Sequence, residues 1–259
     1  MTMATRPYVR HGAAGLTPLH LTAADLPASL EAAYAALAAS QTGVQAGDKG
    51  AWGGWKIGGS NHASRAALGV DRPCYGALAR DEILLQPTSA PGRALPERKG
   101  EVEIALRLDA AGTGFDAWCV ALEMPASALV GLAGLGVVAL VADRCAAGVL
   151  VLGPLQTEPL PDAGARFGQR VNGTLRAEAG YAALTGDPAA ILAEFLGLAR
   201  GHGAPVAAGH WVATGGITPC LAYGLGDRVE VTLDGRVVID ITVSDITVSG
   251  IAADTRVGV

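Results

Sequence analysis

Hydrophobic and polar residues alternate most regularly along Glu101–Leu108. The apolar positions, which would share one face of an extended segment, are Val102, Ile104, Leu106 and Leu108. The positions that would share the opposite face are Glu101, Glu103, Ala105 and Arg107. A period of two is typical of a β-strand whose two faces meet different surroundings. We therefore predict a strand here, with both glutamates on one face.

Short apolar runs bounded by turn residues predict further strands. These candidates are Glu82–Leu85, Trp118–Met124 and Gly148–Gly153. Later in the chain, Arg228–Leu233 and Arg236–Ile241 are joined by Asp234-Gly235, a pair that favours a type I′ turn. This pattern predicts a β-hairpin.

Two segments carry helical signals. Thr22 is a candidate N-cap for a helix over Ala23–Ala39, which is rich in alanine and leucine. Asp187 followed by Pro188 predicts the start of a second helix, which would run to about Arg200.

Residues 124–142 form a stretch of nineteen residues without a charge, close to the length of a membrane span. However, Pro125 and three glycines interrupt the stretch, and no aromatic belt flanks it. We instead expect a buried helix around Ala128–Leu135 and a buried strand over Val137–Ala142.

Together, these elements predict a mixed, β-rich α/β protein. No repeat, low-complexity tract or proline-rich linker separates two units, so we expect one domain over residues 1–259. Residues 1–50 would form a helical N-terminal part, and residues 51–259 would form a β-rich catalytic core.

Composition narrows the class of protein. Half of the residues are hydrophobic and 17% are charged, which indicates a folded globular chain. The net charge of -5 and the absence of a basic run argue against nucleic-acid binding. The four cysteines form no C-x-x-C motif, and no secretory signal is recognised at the N-terminus. We expect reduced thiols, a cytoplasmic protein and no membrane partner.

Three carboxylates carry the strongest chemical signal. Glu101 and Glu103 share a strand face, and Glu123 is the only charged residue between Ala117 and Ala142. Acidic groups in apolar sequence must be paired, protonated or bound to a cation. No His or Cys ligand accompanies them, so the pattern favours a hard ion, Mg²⁺ or Mn²⁺. The alternative is a solvated strand face on which Glu103 pairs with Arg107 or Lys99.

Two glycine-rich segments supply the other candidates. Lys56 lies in a stretch with six glycines between Gly47 and Ser60, where it could hold a carboxylate or move a proton. Its alternative is an ordinary lysine at a loop edge. Thr214 and Gly215 could offer a hydroxyl and backbone N–H groups to an oxyanion, or could form a simple turn.

In order and spacing, several of these segments resemble the 2-keto-4-pentenoate hydratase and 4-oxalocrotonate decarboxylase branch of the fumarylacetoacetate hydrolase superfamily. The resemblance rests mainly on Gly54-Trp55-Lys56-Ile57-Gly58, Glu101-Val102-Glu103-Ile104-Ala105 and Ala121-Leu122-Glu123. It extends over about residues 53–240. It implies a β-roll core with flanking helices, a metal held by Glu101, Glu103 and Glu123, and a nearby Lys56.

The sequence also departs from that branch around the expected substrate pocket. Cys74 stands where the branch often has an acidic residue, Met124–Ser127 replaces a polar run, and Arg144–Ala147 lacks the expected Asn and Ser. These changes bear on the substrate more than on the fold.

The resemblance implies a metal-dependent lyase acting on a small 2-keto or 2-hydroxydienoic acid. Hydration of 2-hydroxypenta-2,4-dienoate is the leading expectation. The alternatives are decarboxylation of a 4-oxalocrotonate-like 2-keto acid, C–C hydrolysis of a diketo acid, and a non-catalytic carboxylate-binding protein of the same fold. A homo-oligomer is expected.

Overall fold

A computed structural model describes residues 19–40, 51–91 and 98–244. Its α-helices are α1 (Leu30–Ala39), α2 (His62–Leu68), α3 (Leu132–Ala142) and α4 (Pro188–Gly201). Its strands are β1 (Trp52–Gly58), β2 (Cys74–Ala79), β3 (Ile83–Leu85), β4 (Ser89–Pro91), β5 (Arg98–Leu108), β6 (Phe115–Met124), β7 (Val149–Leu152), β8 (Phe167–Val171), β9 (Thr174–Ala179), β10 (Trp211–Ala213), β11 (Leu221–Tyr223), β12 (Arg228–Leu233) and β13 (Arg236–Ser244).

The strands form two sheets. The larger sheet has the order β2-β1-β10-β5-β6-β7-β3, with β11 paired to β5, and the smaller has the order β4-β13-β12-β8-β9. Val102 and Ile104 of β5 share one hydrophobic core with Phe167 of β8 and Val229 of β12. The opposite face of the larger sheet buries a second hydrophobic cluster, which includes Ala105, Leu150 and Trp211. Both faces of β5 are therefore covered.

Several predicted elements are confirmed. The alternating segment forms β5, the predicted strand Trp118–Met124 lies within β6, and Gly148–Gly153 contains β7. The predicted hairpin is formed by β12 and β13, and Asp234 and Gly235 both have positive φ, as a type I′ turn requires. Asp187 caps α4, because its side chain accepts a hydrogen bond from the Ala190 N–H at 2.8 Å.

The first helix is shorter than predicted. Thr22 precedes a single 3-10 turn over Ala23–Asp25, and α1 begins only after a second cap at Ser29. Pro27 explains the break, because the residue before a proline is disfavoured in the helical region, and Leu26 is extended. The expected helical part, residues 1–50, is described only over residues 19–40.

The predicted strand over Val137–Ala142 is wrong, because these residues are helical. They form most of α3, which also contains Gly136 at φ 80° and ψ −177°, a kink near its middle. A short, wholly apolar run lacks the polar positions that distinguish a strand from a buried helix. In the described ranges, no helix is long and apolar enough to cross a membrane.

Candidate metal centre and cavity

The three candidate carboxylates converge at one end of the β5–β6 pair. Glu101 lies directly opposite Glu123, and Glu103 lies opposite Ala121, so all three side chains share one face. One carboxylate oxygen from each glutamate lies within 4.8 Å of the others. Glu103 and Glu123 are fully buried, whereas Glu101 is partly exposed and lines a cavity.

The hydrogen bonding of this cluster is incomplete. The Gly215 N–H donates to Glu103 Oε2 at 2.8 Å, but Glu103 Oε1 and Glu123 Oε2 are buried without a hydrogen-bond partner among the described residues. Buried unpaired carboxylate oxygens are unfavourable unless a cation or a proton satisfies them. Oxygen ligands without His or Cys suit a hard divalent ion. The residues present therefore fit a magnesium or manganese site.

The alternative expected for Glu103 does not occur. Arg107 instead pairs with Asp116 of β6, with Nε and Oδ1 2.8 Å apart. The only hydrogen bond found for the Glu103 side chain within the described ranges comes from the Gly215 backbone.

Lys56 lies beside the cluster on β1, which is held between antiparallel β2 and parallel β10. Its Nζ is 2.9 Å from Glu123 Oε1, and its side chain is 8% exposed. Burial lowers the pKa of Lys56, but Glu123, Glu101 and Glu103 raise it by more, so the net shift is upward. Lys56 is therefore an ammonium ion that partly neutralises three carboxylates.

Burial is also the largest influence on the pKa values of the carboxylates. It raises the pKa of Glu123 to about 7, although the Lys56 ammonium opposes the shift. The pKa of Glu103 rises well above its ordinary value, first through burial and then through the charges of Glu101 and Glu123. Protons and a divalent cation would therefore compete for the same oxygens.

The segment after β10 packs tightly on this cluster. Gly215 has φ 104°, in the left-handed region, and a side chain there would overlap Ser60. A side chain at Gly216 would overlap the carboxylate of Glu101. The Thr214 hydroxyl donates to the Ile104 carbonyl of β5 at 2.9 Å. Thus Gly215 contacts the candidate metal centre, whereas the Thr214 side chain braces β10 against β5.

A cavity of about 890 Å³ opens beside the carboxylates. Lys56, Lys99 and Glu101 line it at the cluster, and Ser60, Asn61, Ser64 and Ser127 supply further polar groups. Most of its other side chains are apolar, including Ile57, Leu68, Pro125, Leu129, Leu132 and Leu140. Among the described residues, Lys56 and Lys99 are the only cationic side chains that line it.

Two charged residues of this region were not selected as site residues from sequence. Lys99 lines the cavity two positions before Glu101. The period of two that places Glu101 and Glu103 on one strand face also places Lys99 there, and this signal could have identified it. Asp143 is fully buried, and burial raises its pKa to about 7, while Ser127, Arg144 and Lys56 oppose the shift. An aspartate directly after an uncharged run is the signal that marked Glu123 and could have marked Asp143.

No protein-family model matches the sequence. The structure, however, has the fold of the fumarylacetoacetate hydrolase superfamily: fumarylacetoacetate hydrolase from Exiguobacterium antarcticum matches with a TM-score of 0.53 at 16% identity, over 74% of this chain and 75% of that chain.

Within that fold, 4-oxalocrotonate decarboxylase from Pseudomonas putida G7, complexed with magnesium and adipate, matches with a TM-score of 0.76 at 22% identity, over 88% of this chain and 91% of that chain. Fumarylpyruvate hydrolase from Pseudomonas aeruginosa, in complex with Mn²⁺ and pyruvate, matches with a TM-score of 0.51 at 16% identity, over 73% and 88%. The predicted fold, a β-rich core with flanking helices, is confirmed.

Proposed function

We propose that this protein is an enzyme that uses Mg²⁺ or Mn²⁺, held by Glu101, Glu103 and Glu123, to act on a small 2-keto acid or its 2-hydroxydienoic tautomer. The observation that carries the proposal is the convergence of three carboxylates, two of them fully buried with unpaired oxygens, at the wall of a large cavity. Similar structures bound to magnesium with adipate, and to Mn²⁺ with pyruvate, support it.

Each residue of the cluster has a separate role in this proposal. A bound divalent ion supplies positive charge for the oxygens of a 2-keto carboxylate. Glu101 is the carboxylate nearest the cavity, and Gly216 leaves room for it. Glu103 is oriented by the Gly215 N–H, which fixes one of its oxygens and leaves the other for the ion.

Lys56 is the proposed catalytic residue. It lines the cavity, and its Nζ contacts Glu123 Oε1. With a divalent ion bound, the carboxylates would stabilise the Lys56 ammonium less strongly, and a proton on Nζ would be easier to transfer. Lys56 can then donate a proton to the substrate or orient a water molecule for addition.

We propose hydration of 2-hydroxypenta-2,4-dienoate, or of a related dienoate, as the reaction. The carboxylate and 2-oxygen of such a substrate would face the cluster, and its hydrocarbon end would face the apolar wall. Within the described ranges, no cation lines the cavity away from the cluster, and this favours a substrate with one carboxylate over a dicarboxylate.

Decarboxylation is the second candidate. The match to 4-oxalocrotonate decarboxylase over 88% of the chain supports it, and the same arrangement of a metal and a lysine would serve it. The two reactions leave different products, so product identification separates them.

The experiment is turnover of 2-hydroxypenta-2,4-dienoate by chelator-stripped protein, with and without added Mg²⁺ or Mn²⁺, beside the same assay with 4-oxalocrotonate. Metal-dependent formation of 4-hydroxy-2-oxopentanoate is the expected result. Release of CO₂ from 4-oxalocrotonate without hydration would establish the decarboxylase instead. Calorimetric metal binding with no turnover of either compound would indicate a non-catalytic carboxylate-binding protein.

We also propose that the protein is a homo-oligomer. The proposal rests on the family resemblance of the sequence. Five large hydrophobic side chains that are exposed among the described residues are candidates for the contact between subunits: Val130, Leu155, Leu175, Leu225 and Val237. Light scattering coupled to size exclusion tests the proposal, and a mass near 26.0 kDa would contradict it.

A further inference from the structure

Two cysteines that the proposed reaction does not use lie side by side, and one of them, Cys145, lines the cavity. The Sγ atoms of Cys74 and Cys145 are 3.6 Å apart, and both side chains are buried. Cys74 begins β2, and Cys145 lies 71 residues further along the chain, after α3. Their proximity is therefore a product of the fold.

The turn that carries Cys145 has an unusual backbone. Arg144, Cys145 and Ala146 have φ values of 54°, 55° and 56°, so three successive non-glycine residues occupy the left-handed region. Such conformations persist only when surrounding contacts enforce them, and they are concentrated at functional sites.

Contacts of Arg144, the residue before Cys145, hold this turn against β2 and against Glu82. The Arg144 guanidinium donates to both carboxylate oxygens of buried Glu82 at 3.0 and 3.1 Å, and to the Ala77 carbonyl at 3.2 Å. The Arg144 carbonyl packs so closely on Gly76 that a side chain at position 76 would overlap it. The backbones that carry the two sulfur atoms are thus locked together.

One thiol of the pair is accessible from the cavity, and the other is chemically activated. Cys145 lines the 890 Å³ cavity, so a small oxidant can reach its sulfur without unfolding of the chain. Burial and the neighbouring Cys74 raise the pKa of Cys145 well above its ordinary value, so Cys74 is the thiol that ionises more readily. The Cys145 S–H donates to Cys74, and this hydrogen bond, opposed by burial and assisted by the Lys56 charge, lowers the pKa of Cys74. Thiolates are the reactive form of cysteine.

We propose that Cys74 and Cys145 are a redox modification site, at which a peroxide converts the two thiols into a reversible disulfide. Bond formation needs the sulfur atoms to approach by about 1.5 Å, from 3.6 Å to disulfide length. The inference is independent of the substrate and reaction proposed above.

The chemistry balances with hydrogen peroxide as the only oxidant. One thiolate attacks a peroxide oxygen, the O–O bond breaks, and the sulfur becomes a sulfenic acid while the released hydroxide takes up a proton. The second sulfur then attacks the first, the S–O bond breaks, and water leaves with the remaining thiol proton. Two thiols lose two electrons, and one peroxide becomes two waters.

Closure of the bond would alter the wall beside Lys56. In the β1–β2 ladder, Cys74 is paired with Gly58 and Gly76 is paired with Lys56. A disulfide that draws β2 and the turn together therefore acts on the strand next to the one that carries the lysine.

The test is peptide mapping of the whole protein after treatment with hydrogen peroxide, without reduction. Trypsin places the four cysteines on four separate peptides, residues 66–80, 108–144, 145–166 and 201–228. We expect a cross-link between peptides 66–80 and 145–166 that dithiothreitol reverses. Since the folded chain holds these two thiols at high effective concentration, this link should exceed any other pairing by roughly tenfold or more.

Matched variants make the result specific. Cys220→Ser changes a cysteine that also lines the cavity, and the link should persist in it. Cys74→Ser and Cys145→Ser should each abolish the link, with retained folding checked by circular dichroism. If one of them does not fold, Cys74→Ala or Cys145→Ala replaces it.

Two results would overturn the inference. The first is survival of both thiols at peroxide concentrations that oxidise Cys220. The second is oxidation of Cys74 or Cys145 to sulfinic acid, or linkage to Cys220, without the link between them. Because the readout is a peptide mass, failure of the proposed enzymatic activity would not affect either outcome.

Discussion

Glu101 and Glu123 face each other as a directly opposed pair of the antiparallel β5–β6 ladder. Like charges in this position repel, since opposed Cβ atoms lie only about 4.5–5.5 Å apart. Glu103 adds a third carboxylate on the same face, Lys56 contacts Glu123, and Lys99 lines the cavity beside Glu101. The arrangement is unfavourable unless a cation or protons occupy it, and this defines how the site should respond to metal, pH and substitution.

Replacement of Glu103 by Gln should weaken metal binding and reduce metal-dependent turnover. The substitution keeps the size of the side chain and removes a proposed ligand. Changes to residues that only support a ligand cost about 10–100-fold in metal affinity, so loss of a direct ligand should cost at least as much. Calorimetry with Mn²⁺ and turnover measure the two effects. Glu178→Gln, on exposed β9, is the matched control and should behave as wild type. Full metal affinity in Glu103→Gln would contradict the assignment.

Metal should stabilise the protein more at alkaline than at acid pH. Burial raises the pKa of Glu123 to about 7 from the ordinary 4.5, and raises that of Glu103 as well. The native metal-free state thus binds protons more tightly than the unfolded chain, so stability is greatest below pH 4.5 for these groups and is lost as pH rises through 7.

A divalent cation replaces those protons, so the rise in Tm caused by Mg²⁺ should be larger at pH 8 than at pH 6. Differential scanning fluorimetry measures both values. Glu103→Gln should reduce the difference between them, whereas an equal Mg²⁺ effect at both pH values in the wild type would argue against this competition.

Replacement of Lys56 by Met should separate catalysis from metal binding. The variant keeps an unbranched side chain and removes the ammonium that neutralises Glu123. Metal affinity should therefore be retained or increased, while kcat falls by about 10²–10⁴-fold, the range for loss of a proton-transfer group. Parallel calorimetry and kinetics measure the two quantities. A normal kcat would mean that Lys56 serves only as a counter-charge.

A methyl group at position 216 should weaken metal binding, because it would displace the Glu101 carboxylate. Gly216→Ala would push into the Glu101 carboxylate, so the affinity for Mn²⁺ should fall. Gly197→Ala is the matched control, because this helical glycine has no neighbour near the new methyl group and alanine favours the helix by up to about 1 kcal/mol. Similar Mn²⁺ affinities in the two variants would show that Glu101 does not depend on this close approach.

The buried ion pair of Arg144 and Glu82 should contribute strongly to stability. Glu82→Ala leaves a buried guanidinium without its carboxylate, which typically costs about 3–5 kcal/mol. Asp116→Ala breaks the exposed pair with Arg107 and should cost less than about 1 kcal/mol. Urea denaturation gives both free energies of unfolding. Equal losses would indicate that the pair at Glu82 is effectively solvated.

Sequence patterns predict the parts of this structure that depend on residues close together in the chain. The period of two in β5 places Glu101 and Glu103 on one face, and the isolated charge in β6 identifies Glu123, because each signal lies within one strand. The helical form of Val137–Ala142 is not predictable in this way, since an apolar run has the same pattern in a buried helix and a buried strand.

Long-range relationships are also beyond such patterns. The contact of Lys56 with Glu123 and that of Cys74 with Cys145 depend on strand order and on an unusual turn. Likewise, the hydroxyl of Thr214 is directed to the Ile104 carbonyl by the pairing of β10 with β5, which no local motif encodes. The role of Thr214 in substrate binding remains a prediction.

The register of β5 and β6 also places the loop between these strands far from the three carboxylates. Their connection, residues 109–114, joins the ends of the two strands remote from Glu101 and Glu123. At about 3.4 Å per residue, Leu108 lies roughly 17 Å along β5 from Glu103. Evolution could therefore lengthen or shorten this connection without moving the carboxylates, and an experimenter could place a fluorophore or an affinity tag there as a reporter that leaves the centre undisturbed.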